Sequence, residues 1–296
     1  MATRRSDRAG RGVVVVAHHD RPAVREVVEA LRAWLQPRGH RLWMPVEDAA
    51  ARGLGDLGSV RPASEADLLV CLGGDGTILR AVHLLDGAAV PILAAHVGTL
   101  GYLAEVEPSE AAAAMAAWLE TPEASGFRLD ERMLLGVSLR CRAGGPPLEW
   151  RALNEVVIER QQSGHTVWID VTIDGAQFAR YSADGLIVAT PTGSTAYNMS
   201  ARGPVVSPRQ RALILTPVSP HMLFDRSLVL DETETLGLTV VGTREADVVV
   251  DGRRVAALEP GDVVTCARSS ASACFLRRGA PEFHQVVRMK FGLGDD

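Results

Sequence analysis

Short apolar runs and helix-period patterns alternate through the first third of the chain. Residues 13–17 are a continuous apolar run, as expected for a strand covered on both faces. Pro22 then stands at a helix start, and Val24, Val27, Val28, Leu31, Trp34 and Leu35 recur at i, i+3, i+4 and i+7 spacing. Pro37 and Gly39 end that helix. The same reading predicts strands over 41–45, 67–72 and 90–95, a loop over 49–62, and helices over 77–85 and 109–119, the last capped by Ser109. A β-α-β-α rhythm of this kind implies a parallel sheet with helices on its faces.

The pattern changes near residue 127. Strands separated by turns are predicted over 132–141, 150–160, 166–174, 177–181, 185–189, 212–216, 227–230, 236–241, 246–250, 254–257, 262–267 and 273–278. Asp174-Gly175 and Asp251-Gly252 read as hairpin turns. One short helix interrupts the series at about 195–201, and 281–291 reads as a short helix or strand. The fold class expected is α/β plus all-β: a Rossmann-like parallel-sheet domain followed by a β-rich sandwich. The expected divisions are a flexible basic tail over 1–11, an α/β domain over 12–126, a β-rich domain over 127–278, and a C-terminal segment over 279–296 that packs back on the α/β domain.

Composition narrows the function. The formal charge is −5, and this mild acidity argues against a nucleic-acid groove as the chief function; Lys290 is the sole lysine. A local field can still receive an anionic small molecule. Cys71, Cys141, Cys266 and Cys274 form no CxxC pair and no zinc-ligand spacing, so they read as reduced thiols. No signal-peptide core and no apolar run of about 20 residues is present, so the chain reads as cytoplasmic with no membrane partner.

Three segments carry candidate chemistry. Gly73-Gly74-Asp75-Gly76-Thr77 lies between a strand and a helix, at the carboxyl edge of the expected parallel sheet. Glycines there let the backbone approach a phosphate, and the helix start offers free N–H groups. Asp75 repels an anion, but suits a proton acceptor or a metal ligand. An ordinary Gly-Asp turn is the plain alternative, and Arg80, one turn later, reads equally as a phosphate contact or a solvated side chain. The second segment runs from Asp184 to Ser200, where an apolar strand enters a dense hydroxyl and glycine cluster. It reads either as a binding loop for a polyhydroxylated ligand or as a capping loop. The third is Asn154-Glu155, a polar pair beside Val156, Val157 and Ile158, which reads as a strand-start turn or a ligand contact. His18-His19-Asp20 follows the first strand, but adjacent histidines point to different sides of an extended chain, which disfavours a shared metal.

Together these segments resemble the NAD kinase family. Residues 73–77 match its GGDGT motif, Asn154-Glu155 its NE motif, and 184–200 its DG…TPTGSTAY…S motif. Residues 98–103 resemble its GxLGF/YL segment, and the likeness spans roughly 12–290. GGDG alone is shared with phosphofructokinases and with diacylglycerol and sphingosine kinases; TPTGSTAY with NE is specific. The resemblance implies phosphorylation of the adenosine ribose 2′-hydroxyl of NAD, with ATP or polyphosphate as donor and Mg2+ or another divalent cation. It implies Asp75 as general base and NAD contacts from Asp75, Gly76, Tyr102, Asn154, Glu155, Asp184, Thr195, Ala196, Tyr197 and Ser200. Within that set, Asn154 and Glu155 meet the adenosine and its ribose, and Asp184 and Ala196 the nicotinamide end. Gly73, Gly74, Gly76, Thr77 and Arg80 would hold the donor. It further implies a homodimer or homotetramer. Two departures stand out: His96 where many members have Asn, and Arg202 where Gly is commoner. A kinase of another hydroxyl, or a dinucleotide sensor without turnover, are the competing readings.

Overall fold

The computed structural model describes residues 10–18, 23–96, 101, 103–279 and 283–293. Pro22, His19, Asp20, Tyr102 and residues 97–100 lie outside the described residues, as does most of the basic tail. The chain divides into two compact units: Met1–Glu131 with Ala273–Asp296, and Arg132–Ser272.

Unit 1 is a parallel sheet with helices. In chain order it holds β1 (Gly12–Ala17), α1 (Ala23–Leu35), β2 (Arg41–Pro45), α2 (Val46–Ala50), β3 (Gly58–Ser59), β4 (Leu68–Leu72), α3 (Asp75–Leu85), β5 (Ile92–Ala95) and α4 (Ala111–Glu120). The strand order is β5-β4-β1-β2-β3, with Ala95 paired to Leu72 and Leu72 to Ala17. Those three residues end their strands side by side, so the segments after them meet at one carboxyl edge. Every residue of β1 and β4 is buried, which explains their unbroken apolar sequence. One core joins Val13 and Val15 of β1, Val28 and Leu31 of α1, and Ala114 and Met115 of α4.

Three local expectations change here. Residues 46–50 form α2, with Asp48 fully buried, where the Gly- and Arg-rich composition nearby suggested only loop from residue 49. Ser109 does not cap α4: a 3-10 turn over 108–110 precedes the helix, and Glu110 holds the cap position without a side-chain bond. Helix α3 begins at Asp75 rather than Thr77, because extended Gly74 serves as its N-cap.

Unit 2 is an antiparallel sandwich, entered along β6 (Arg128–Arg140). It holds β7 (Leu148–Ala152), β8 (Glu155–Arg160), β9 (Val167–Ile173), β10 (Ala176–Ala183), β11 (Gly185–Ala189), α5 (Tyr197–Ser200), β12 (Ala212–Val218), β13 (Leu228–Asp231), β14 (Leu236–Val241), β15 (Ala246–Val250) and β16 (Arg253–Leu258). The chain leaves along β17 (Val263–Arg277), and α6 (Phe283–Phe291) closes the described sequence in unit 1. One sheet runs β13-β12-β11-β8-β15-β16. The other runs β10-β9-β14-β17, with β6 on β17 and β7 on β6. Alternate residues of both sheets, such as Ile158, Val188, Ile169 and Leu238, meet in one core.

Two strand expectations are corrected. The run over 150–160 is two strands, broken at Leu153-Asn154, where the backbone turns onto other partners. The runs 262–267 and 273–278 are one strand, β17, because the mostly polar residues 268–272 stay in it despite their turn-like composition. Asp174-Gly175 and Asp251-Gly252 both form two-residue hairpin loops with positive φ. All four cysteines are free, with Cys71 and Cys266 buried.

Candidate functional site

In unit 1 the Gly-rich loop sits at the sheet's carboxyl edge. The Gly73 N–H donates to the Ala95 carbonyl at 3.1 Å, which ties the loop to β5. A Cβ on Gly73 would stand 2.3 Å from Thr77 Oγ1, so the turn closes only around glycine. Gly74 and Gly76 instead face open space, where a ligand can come close to the backbone. Asp75 occupies the first turn of α3 and is half-buried.

Two residues of the following segment hold the Asp75 side chain. Its Oδ1 accepts the Leu103 N–H at 3.3 Å. A Cβ on Gly101 would lie 2.1 Å from the same oxygen, so that oxygen rests against bare backbone. The Leu103 carbonyl in turn accepts from Arg277 Nη1 at 2.8 Å, and Arg277 is also paired with Asp130 at 3.2 Å and Glu105 at 3.5 Å. Arg80 bonds Asp48 Oδ2 at 2.6 Å and the Ala17 carbonyl at 2.8 Å. It thereby ties the first turns of α3 to the end of β1 through a buried carboxylate. His96, where Asn is commoner, places Nε2 2.9 Å from Glu107 Oε1.

In unit 2 the second and third segments come together. Asn154 and Glu155 stand where β7 gives way to β8, and β8 pairs with β11, which leads into the hydroxyl-rich loop. Thr190 Oγ1 donates to the Leu153 carbonyl at 2.6 Å, and the Thr190 N–H to the Asn154 carbonyl at 2.8 Å. A Cβ on Gly193 would lie 2.1 Å from that Asn154 carbonyl oxygen. Glycine here is what lets the loop lie flat against the polar pair.

Several polar groups of the loop are turned inward. Ser194 Oγ exchanges bonds with the Val206 backbone at 3.0 Å in both directions. Fully buried Asn198 donates to the Ser194 and Pro204 carbonyls and accepts from Thr216 Oγ1 at 2.7 Å. These groups build the loop itself, and neither Ser194 nor Asn198 was among the expected NAD contacts. Thr195 is buried and its hydroxyl bonds the Thr192 carbonyl at 3.4 Å. Tyr197 and Ser200 are exposed, and Ala196 is half-buried.

Three carboxylates face this surface. Burial pushes the Tyr197 phenol up, helped by Glu159, Asp184 and Glu155. Asp184 is paired with Arg160 at 3.1 Å. Glu155 is buried, with one carboxylate oxygen unpartnered. Desolvation raises its pKa to about 8, the neighbouring Asp251 adds to the rise, and a bond from the Tyr197 N–H opposes it. Arg202 adopts φ 65°, a conformation that glycine takes without cost, so the cation here sits on a strained turn.

Asp251 and Asp48 are the residues that sequence reasoning missed as contributors. Asp251 read only as a turn residue, and Asp48 fell beside an expected loop. A break in a strand needs acceptors for its freed N–H groups, but the acceptor lies 97 positions from Asn154, beyond any local pattern.

The sequence models of the ATP-NAD kinase N-terminal and C-terminal domains match residues 13–124 and 153–278. An NAD kinase of Heliobacterium modesticaldum is 36% identical over 284 residues, covering 95% of this chain and 99% of the relative. One from Methanoculleus marisnigri is 34% identical, covering 93% and 97%. The structure of yeast NADH kinase complexed with NADH superposes with a TM-score of 0.86 at 25% identity, covering 98% of this chain and 89% of that one. An NAD kinase from Archaeoglobus fulgidus in complex with ATP shares the fold, with a TM-score of 0.71 at 24% identity over 96% of this chain and 100% of that one. With both domain models matched and relatives aligned almost end to end, the chain belongs to the NAD kinase family, whose reaction is the phosphorylation of NAD to NADP.

Proposed function

We propose that the chain transfers a phosphoryl group from ATP or polyphosphate to the adenosine ribose 2′-hydroxyl of NAD, with Asp75 as general base. The observation that carries this is the setting of Asp75: half-buried at the head of α3, steadied by the Leu103 N–H, between two glycines that face open space. A carboxylate so placed can accept the proton of an attacking hydroxyl. At the start of α3 the backbone of Gly74 and Gly76, which face open space, offers N–H groups to donor phosphates. Arg80 serves the same site by fixing α3 to the end of β1.

Unit 2 holds NAD. Asn154 and Glu155 meet the adenosine and its ribose, Thr195, Tyr197 and Ser200 line that pocket, and Asp184 and Ala196 take the nicotinamide end. Tyr102 completes the set from outside the described residues. The unpartnered oxygen of buried Glu155 supports a ligand contact there. A divalent cation that rides on nucleotide phosphates keeps several waters and needs one or two carboxylates; half-buried Asp75 fits that need. Magnesium held there would supply charge neutralisation on the transferred group. What the chain itself contributes is positioning and the proton acceptor. A homodimer or homotetramer is the assembly proposed, and light scattering reads it directly.

The test is a coupled assay. Purified protein with NAD, ATP and magnesium should yield NADP, followed through an NADP-specific dehydrogenase. Asp75→Asn should lower kcat by about 10²–10⁴-fold, the range for a lost general base, with NAD binding retained. Turnover that survives this substitution would remove Asp75 from the role.

A further inference from the structure

Asp251 does two jobs that could have been separated. The first is a turn. Asp251 and Gly252 join β15 to β16 with φ 45° and 77°, a two-residue loop that Asp, Asn and Gly all accommodate.

The second job has nothing to do with the turn. The Asp251 carboxylate is buried and accepts three successive backbone N–H groups, from Leu153 at 2.8 Å, Asn154 at 2.7 Å and Glu155 at 3.1 Å. Its own N–H donates to the Glu155 carbonyl at 3.0 Å. Successive N–H groups converging on one anion form a nest. Without Asp251, these groups at the β7–β8 break would lack an acceptor. The carbonyl side of the same stretch is gripped independently by Thr190 and by the close approach of Gly193. The backbone of 153–155 is therefore fixed from both sides, and with it the directions in which the Asn154 and Glu155 side chains leave the chain.

We propose that Asp251 is a positioning residue for the NAD site, holding the backbone that aims Asn154 and Glu155. The idea rests on the assignment of those two residues to NAD. The charge beside Glu155 agrees with it: Asp251 helps raise the Glu155 pKa, favouring the neutral acid that can donate a hydrogen bond.

Asp251→Gly and Asp251→Asn test it, because both substitutes suit the turn. Asp251→Gly removes the clamp and should raise the KM for NAD by about tenfold to a hundredfold, the scale of a misplaced binding group. The KM for ATP should stay unchanged and kcat at saturating NAD should fall less than NAD affinity. Asp251→Asn keeps one acceptor oxygen and should fall between. Gly252→Ala strains the turn but leaves the carboxylate, so it should lower the Tm with the KM for NAD unchanged. An NAD KM at the wild-type value in folded Asp251→Gly overturns the proposal, as does equal damage to NAD and ATP parameters. Asn154→Ala and Glu155→Ala separate the two layers. If both bind NAD like wild type, the site assignment falls and takes the proposal with it. If both lose NAD while Asp251→Gly keeps it, only the proposal falls.

Discussion

In unit 1 the acidic residue of the Gly-rich loop, Asp75, stands half-buried beside glycines that face open space. In unit 2 Asp251 is buried, with its carboxylate enclosed by three N–H groups, and buried Glu155 lies beside it. Asp75 stands at the head of α3, whereas Asp251 lies in the hairpin between β15 and β16. Their burial separates their uses. A group that exchanges a proton with substrate must be reachable. A group that holds backbone in place works best saturated and dry, where each hydrogen bond is stronger.

The sharpest way to break this comparison is the pH dependence of stability. The Glu155 pKa rises from 4.5 to about 8 on folding. Between those values the folded chain keeps a proton that the unfolded chain has lost, so stability falls as pH rises through that window. The slope approaches about 1.4 kcal/mol per pH unit. Glu155→Gln, which copies the neutral acid, should flatten it in urea titrations from pH 5 to 8. An unchanged slope in the variant would mean that the unit 2 carboxylates are not closed in.

On the unit 1 side, Gly101→Ala drives a Cβ into the Asp75 carboxylate. If Asp75 is the base proposed, the expected result is a fall in kcat of about tenfold to a hundredfold from its misplacement, with the KM for NAD little changed. A wild-type kcat would show that Asp75 does not depend on this support. The smallest effect belongs to the strained turn in unit 2. Arg202→Gly relieves φ 65° and should raise stability by about 1 kcal/mol in urea unfolding, with kinetics unaltered. A loss of donor affinity there would instead mark Arg202 as a phosphate contact.

Much of the site was legible because its elements are local. A strand of five buried residues followed by Gly-Gly-Asp-Gly announces a turn at a sheet edge wherever it occurs. The hydroxyl-rich loop was equally visible, but which of its groups face outward was not. Ser194 and Asn198 are consumed by Val206, Pro204 and Thr216, partners up to 18 positions away. The merging of 262–278 into β17 and the break at Leu153-Asn154 were hidden for the same reason. A ladder or a nest far along the chain overrode the local preference.

The sequence by itself determined the order of elements, the division into a parallel and an antiparallel region, and the residues that carry the family likeness. Those features depend on periodicity, turn chemistry and short motifs, which act over a few residues. Tertiary structure alone decided that Arg80 is bound to Asp48, that Arg277 supports Leu103 and through it Asp75, and that Asp251 grips the backbone beneath Asn154 and Glu155. Each is a charged group whose partner lies 32 or more positions away. Burial makes such pairings costly to leave unmet, but only the folded chain brings the partners within reach.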